Sequence, residues 1–214
     1  MQFDPTLVTL GTTPTVLHDR LLIQYELHNG SPTIVYVENR YPEERIHRGS
    51  LRREPYTTSS AATYLLSGGE VLVFQGQTIL EGPPFPYAPP RRIACSIVRP
   101  GTSHKASIEL RLPLRQNHTG VDAAALSQER PLSALTTASV LIFALEMNAA
   151  PASVRELDGT DAVQVESNTW WRIVQRLSLP HPIQVGHGST DWGDEHMRII
   201  RERLSAHQGQ CTYE

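Results

Sequence analysis

The sequence predicts an all-β protein, an antiparallel immunoglobulin-like β-sandwich completed by a C-terminal amphipathic helix. Three observations carry this: runs that alternate apolar and polar residues, turn clusters rich in Gly, Pro, Asn and Ser between them, and the lack of a helical segment between each pair of runs, which a parallel sheet would need. At 214 residues one core suffices. The expectation is a single domain over 1–214, with the sandwich over 1–185 and the helix over 190–207 packed on or beside it. The Cys, Trp and Cys pattern of true immunoglobulin domains is absent, so the assignment rests on architecture.

The elements follow in order. From Leu21 to His28, Leu21, Ile23, Tyr25 and Leu27 fall on one face and Gln24, Glu26 and His28 on the other, the period of a half-buried strand. Asn29-Gly30 follows, and then the β-branched run "TIVYVEN", so residues 21 to 37 read as a hairpin. "SGGE" at 67–70 separates "TYLL" from "VLVF" as a second turn. "RPGTSHK" at 99–105 separates "IACSIV" from "ASIELRLPL", where Ile108, Leu110 and Leu112 alternate with Glu109 and Arg111. Between the second and third turns lies "EGPPFPYAPPRR" (81–92), whose five prolines cannot stay in a ladder and read as an extended crossover between sheets.

After a polar, Ala-rich connection from Gln116 to Thr137, which has room for a short helix, "ASVLIFALEM" suits a buried strand. "NTWWRIVQRLSLP" is ambiguous. Trp170, Ile173, Val174 and Leu177 have helical spacing, but the all-β surroundings and Pro180 favour a strand. The last segment, "DWGDEHMRIIRERLSAH", places acidic residues early, arginines late and Met197, Ile200 and Leu204 on one stripe, which predicts a helix ended near Gly209.

Composition excludes some partners. Hydrophobic residues at 39% and charged residues at 19% describe a folding chain, and a net charge of −3 gives no field that draws in nucleic acid or an anionic membrane. The N-terminal residues lack a basic segment followed by an apolar run, so a soluble, cytoplasmic chain is expected. Lys105 is the only lysine, and such heavy use of arginine fits a GC-rich bacterial genome. Cys95 and Cys211 form neither a disulfide framework nor a CxxC motif. Asn29-Gly30-Ser31 and Asn117-His118-Thr119 match glycosylation sequons but read here as turns.

The expected function is binding of a protein partner without catalysis, of the accessory, adaptor or toxin-neutralising kind, and without a cofactor. The candidate contact residues are Arg48, Arg52, Arg53 and Tyr56 in the charged stretch 39–56, read as a solvated loop, Phe85 and Tyr87 among the prolines, and Trp170. Pro86-x-x-Pro89-x-Arg91 also matches a docking pattern for SH3-type grooves, but so short a pattern is common. Arginine beside tyrosine can stack on bases, yet the interspersed Glu43, Glu44 and Glu54 argue against nucleic acid. The alternative is a metal-dependent enzyme with His181, His187, Asp191 and His196 as ligands: the residue types suit zinc or non-haem iron, but the spacing matches neither HExxH nor a finger. "VGHGST" lacks the G-x-S-x-G spacing of a nucleophile elbow, and no glycine-rich phosphate loop is present.

Overall fold

The computed structural model describes residues 3–47, 50–57, 61–66, 68–75, 91–115, 135–157, 161–167, 169–186 and 210–212. Among these the chain is mostly β, and its one helical element is a 3₁₀ turn at Pro5–Leu7, where the Asp4 carboxylate accepts from the Thr6 N–H. No helix of the described residues is long and apolar enough to cross a membrane.

The described strands form two sheets. The smaller has three strands in the order β1 (Val8–Val16), β2 (Arg20–Asn29) and β8 (Ser103–Arg111). The larger contains β3 (Val35–His47), β4 (Ser50–Thr57), β5 (Ala62–Leu66), β6 (Glu70–Gln75), β7 (Arg91–Val98), β9 (Leu114–Arg115), β10 (Leu135–Asn148), β11 (Ser153–Glu156), β12 (Val163–Ser167), β13 (Thr169–Gly186) and β14 (Gln210–Thr212). Its main path runs β11-β12-β7-β3-β10-β13-β14, with β4 on β3, β5 on β6, β6 on β10 and β9 on β13.

One core joins the two sheets. Leu21, Ile23, Tyr25 and Leu27 of β2 and Ile108 of β8 are buried against Val35, Val37, Val71, Val73, Leu141, Phe143 and Leu145 of the large sheet. Tyr25 and Phe143 meet across it with ring centroids 5.2 Å apart, and Phe3 stands edge-on to Trp171 at 4.8 Å. The alternation read in β2 and β8 is the observed one: Leu21 pairs with Leu110 and Ile23 with Ile108, while Gln24, Glu109 and Arg111 stay exposed. Leu110 and Leu112 are only half-buried. β1 is an edge strand, a position that tolerates Pro14.

Several expectations need correction. Residues 21 to 37 are not a hairpin, because β2 pairs with β1 and β8 in the small sheet while β3 pairs with β4, β7 and β10 in the large one. Asn29 spends its side chain on a buried local turn that carries the chain across the sandwich. The connection from β7 to β8 also changes sheets, at Arg99–Thr102. The proline-rich segment does not join the two sheets, since β6 before it and β7 after it both belong to the large sheet; residues 76–90 lie outside the described residues. The stretch 39–56 is not a loop: its described backbone forms the β3–β4 hairpin, in which Arg45 faces Arg52 and Ile46 faces Leu51 in register.

The pairing is not wholly antiparallel. β6 runs parallel to β10, with Glu70–Gln75 against Val140–Leu145, and β9 runs parallel to β13. β6 and β10 are so far apart in sequence that no short turn dictates their direction. Other expectations agree with the structure. β5 and β6 form the hairpin expected at "SGGE", with Gly68 and Gly69 at φ of 80° and 75°, the left-handed region that glycine enters without penalty. Residues 169–186 are strand, as is the run at 138–147. The helix expected over 190–207 lies outside the described residues, as do residues 116–134 of the connection expected from Gln116 to Thr137, whose last residues, 135–137, instead belong to β10.

Candidate functional site

Three polar constellations are built by this fold, and each depends on strands far apart in sequence. The first lies where the chain changes sheets. Asn29 is fully buried. Its Nδ2 donates to the carbonyls of Thr33 and Val98 at 2.8 and 2.9 Å, and its Oδ1 accepts from the N–H and hydroxyl of Ser31 at 3.0 and 2.6 Å. Its backbone N–H donates to Thr102 and its carbonyl accepts from Gly101, at 3.0 and 2.7 Å. One residue thus holds both crossovers together and leaves no polar atom of its own unpaired, as burial requires. The sequon at 29–31 is therefore structural, because both hydrogens of the amide are engaged inside the protein.

Gly30 continues this knot. Its N–H donates to the Leu7 carbonyl, and a Cβ there would lie 2.8 Å from that oxygen, closer than real contacts allow. The result is a braced end of the sandwich from which Leu7 and Ile34 project, 43% and 40% exposed, beside the exposed Arg99 and Pro100.

The second constellation spans the seam between the sheets. Asn39, buried at a bulge in β3, donates from Nδ2 to the Tyr25 hydroxyl at 3.1 Å and lies 2.8 Å from His104 Nε2. Its Oδ1 accepts from the Ser96 N–H at 3.3 Å. Tyr25 in turn donates to Gln75 Oε1 at 2.8 Å, and burial pushes its phenol up to about 12. Next along the chain, Arg40 donates to the Ser96 hydroxyl at 2.9 Å and to the exposed Asp161 at 2.8 Å.

The third occupies the opposite face of the large sheet. Arg172 of β13 and Glu146 of β10 stand opposite each other in register and form an ion pair at 2.7 Å, with 3% and 1% of their side chains exposed. The guanidinium lies 5.3 Å from the centre of the Phe74 ring. On the same face Trp170 packs with Ile93, Cys95, Val163 and Val165. Burial, and then the charge of Glu38, drive the Cys95 thiol well above its ordinary range, so it is not a nucleophile at neutral pH.

The residues named from sequence are scattered over the fold. Trp170 is fully buried and presents no surface to a partner; its ring nitrogen donates to the Ser167 carbonyl. Trp170 and Trp171 point to opposite faces of the sheet, and both faces are covered, so both rings are buried. Arg52, Arg53 and Tyr56 lie on β4, whose backbone alone is described. Arg48, Phe85 and Tyr87 lie outside the described residues, as do His187, Asp191 and His196. His181 is exposed on an irregular stretch of β13 between Pro180 and Pro182, where the register against β10 shifts. Among the described residues no three His, Cys, Asp or Glu side chains converge as metal ligands.

Sequence reasoning missed Asn29, Asn39 and His104 as organising residues, although a signal was present for two of them. His104 continues the inward positions 106, 108 and 110 of β8, and Asn39 extends the apolar series Val35 and Val37, so each is a polar residue on an apolar face. No family model, no curated protein and no solved structure matches this chain.

Proposed function

We propose that this chain is a non-catalytic, cytoplasmic protein-binding module of a bacterium, of the accessory, adaptor or toxin-neutralising kind, on an immunoglobulin-like sandwich with a C-terminal amphipathic helix. The observation that carries this reading is the braced end of the sandwich, where Leu7 and Ile34 are held out into solvent by segments tied to Asn29 and Gly30. Apolar side chains on pre-organised loops lose little entropy on docking, which is how rigid scaffolds present contact residues. The polar groups of the interior also support it, because among the described residues Asn39 bonds to Tyr25 and accepts from the Ser96 N–H, Tyr25 donates to Gln75, and Arg40 donates to the Ser96 hydroxyl and to Asp161, so that these groups are engaged with one another and with their neighbours.

The test is a double substitution, Leu7→Asp with Ile34→Asp, in the tagged full-length chain expressed in its own host. A stoichiometric protein that co-purifies with the parent and is lost from the variant, with the melting temperature unchanged, is the expected result. Equal recovery by both chains would remove this end from the binding surface, and a small-molecule turnover activity in the purified chain would overturn the reading as a whole.

A further inference from the structure

The seam between the sheets carries a device that binding alone does not require. It starts from a donor that cannot move, the Ser96 N–H of β7, which points at Asn39 Oδ1. That contact fixes the orientation of the Asn39 amide, because turning it over would set Nδ2 against a backbone N–H. With Oδ1 fixed, the Nδ2 hydrogens face the Tyr25 oxygen and His104 Nε2. Tyr25 can accept because its own hydrogen goes to Gln75. His104 must then offer a lone pair at Nε2, which only the neutral ring with its proton on Nδ1 provides. A second proton would oppose two donors across 2.8 Å.

We propose that His104 is an acid-sensitive latch between the two sheets: in its neutral form it accepts the Asn39 amide and holds β8 against β3, and protonation of Nε2 releases that hold. The charged groups around it reinforce this. Arg40 of β3 disfavours the imidazolium, and Asp161, on the connection before β12, favours it. Asp161 is already engaged by Arg40, so it cannot fully offset that repulsion. Tyr25 of β2, with its ring centroid 6.2 Å from that of His104, stays neutral over the whole range because its phenol is pushed up to about 12. The neighbouring Lys105 is engaged with Glu26 of β2. Partial burial, then Arg40, hold the imidazole below its ordinary 6.5.

The direction of the effect follows. The unfolded chain protonates His104 near its ordinary value and the folded chain only at lower pH, so the unfolded state binds more protons between the two values. Stability is at its full value above that ordinary range and falls as the pH drops towards the folded value.

The test compares the parent with His104→Gln, whose side-chain oxygen can still accept from Asn39 but does not titrate. Between about pH 8 and about pH 5 the folded-to-unfolded ratio of the parent should fall several-fold more than that of H104Q, measured by urea unfolding. The protection factor of the Ser96 amide should fall over the same interval in the parent and hold in the variant. Because H104Q could fold poorly, the imidazole of the parent is also followed directly by NMR, and it should titrate below the ordinary 6.5. Parallel pH profiles for the two chains, or a His104 resonance that titrates at or above the ordinary 6.5, would overturn the latch.

Discussion

In β2, solvent reaches Gln24 and His28 while Leu21, Ile23, Tyr25 and Leu27 are buried between them; in β10 every residue from Leu141 to Asn148 is buried, Glu146 included. The small sheet covers one face, and its strands keep the period of two that a one-sided sheet imposes. In the large sheet both faces of β10 are buried, one of them against the small sheet, so the period is lost and polar residues must be neutralised in place. Glu146 meets Arg172, and Asn148 donates to the Ser167 hydroxyl at 2.7 Å. The small sheet is thus held mainly by area removed from water, whereas the centre of the large one also depends on pairs that fail together when one member is lost.

That contrast can be broken or sharpened by substitution. The largest effect is expected on the doubly covered face: Arg172→Ala leaves Glu146 buried beside an empty site and should cost about 3–5 kcal/mol. The double variant Arg172→Met with Glu146→Leu should recover much of that loss, since an apolar pair of similar volume avoids the desolvation penalty. Equal denaturation midpoints for the single and double variants would show that the pair is not the unit of stability there.

In the small sheet, Ile108→Ala should cost about 2–4 kcal/mol, while Leu110→Ala, at a half-buried position, should cost less. Asn29→Ala, which strips two carbonyls of their donor and Ser31 of its acceptor, should cost about 1–3 kcal/mol. Glu109→Ala should be the mildest, within about 0.5 kcal/mol, because Glu109 and its partner Arg20 are both solvent-exposed. Urea midpoints that place Glu109→Ala below Ile108→Ala would mean that the faces of β8 are reversed.

The same contrast explains what could be read from the amino acids. β2 and β8 were legible because one wet face writes its period into the sequence. The stretch 168–180 was ambiguous, its spacing helical and its surroundings β, because Trp170 and Val174 fill one face of a strand while Ile173 fills the other, and two covered faces leave no alternation to find. Asn29-Gly30 misled for another reason: the dipeptide signals a tight hairpin when asparagine faces solvent, but here its amide is buried and bonded to Val98, 69 residues away. The seam was illegible in its assembly, since Asn39 and His104 are 65 residues apart and Arg40 and Asp161 are 121 apart. Sequence shows that such residues sit on unusual faces, and only the pairing of strands shows that they meet.

The bonds around Asn29 also bear on how the molecule opens. Strands of the small sheet are supplied by two separate stretches of chain, and each enters from the large sheet or leaves towards it through this one buried amide. Peeling β8 from β2 would break the contacts of Asn29 with Gly101 and Thr102, and peeling β3 from β7 would disturb those with Thr33 and Val98. Neither sheet therefore has a cheap route to local melting at this end, and the two should behave as a single cooperative unit. The Gly101 amide, bonded at 2.7 Å on an exposed turn, is the sensitive reporter: it should exchange with solvent deuterium as slowly as the amides of the central strands, where an ordinary surface turn would exchange quickly.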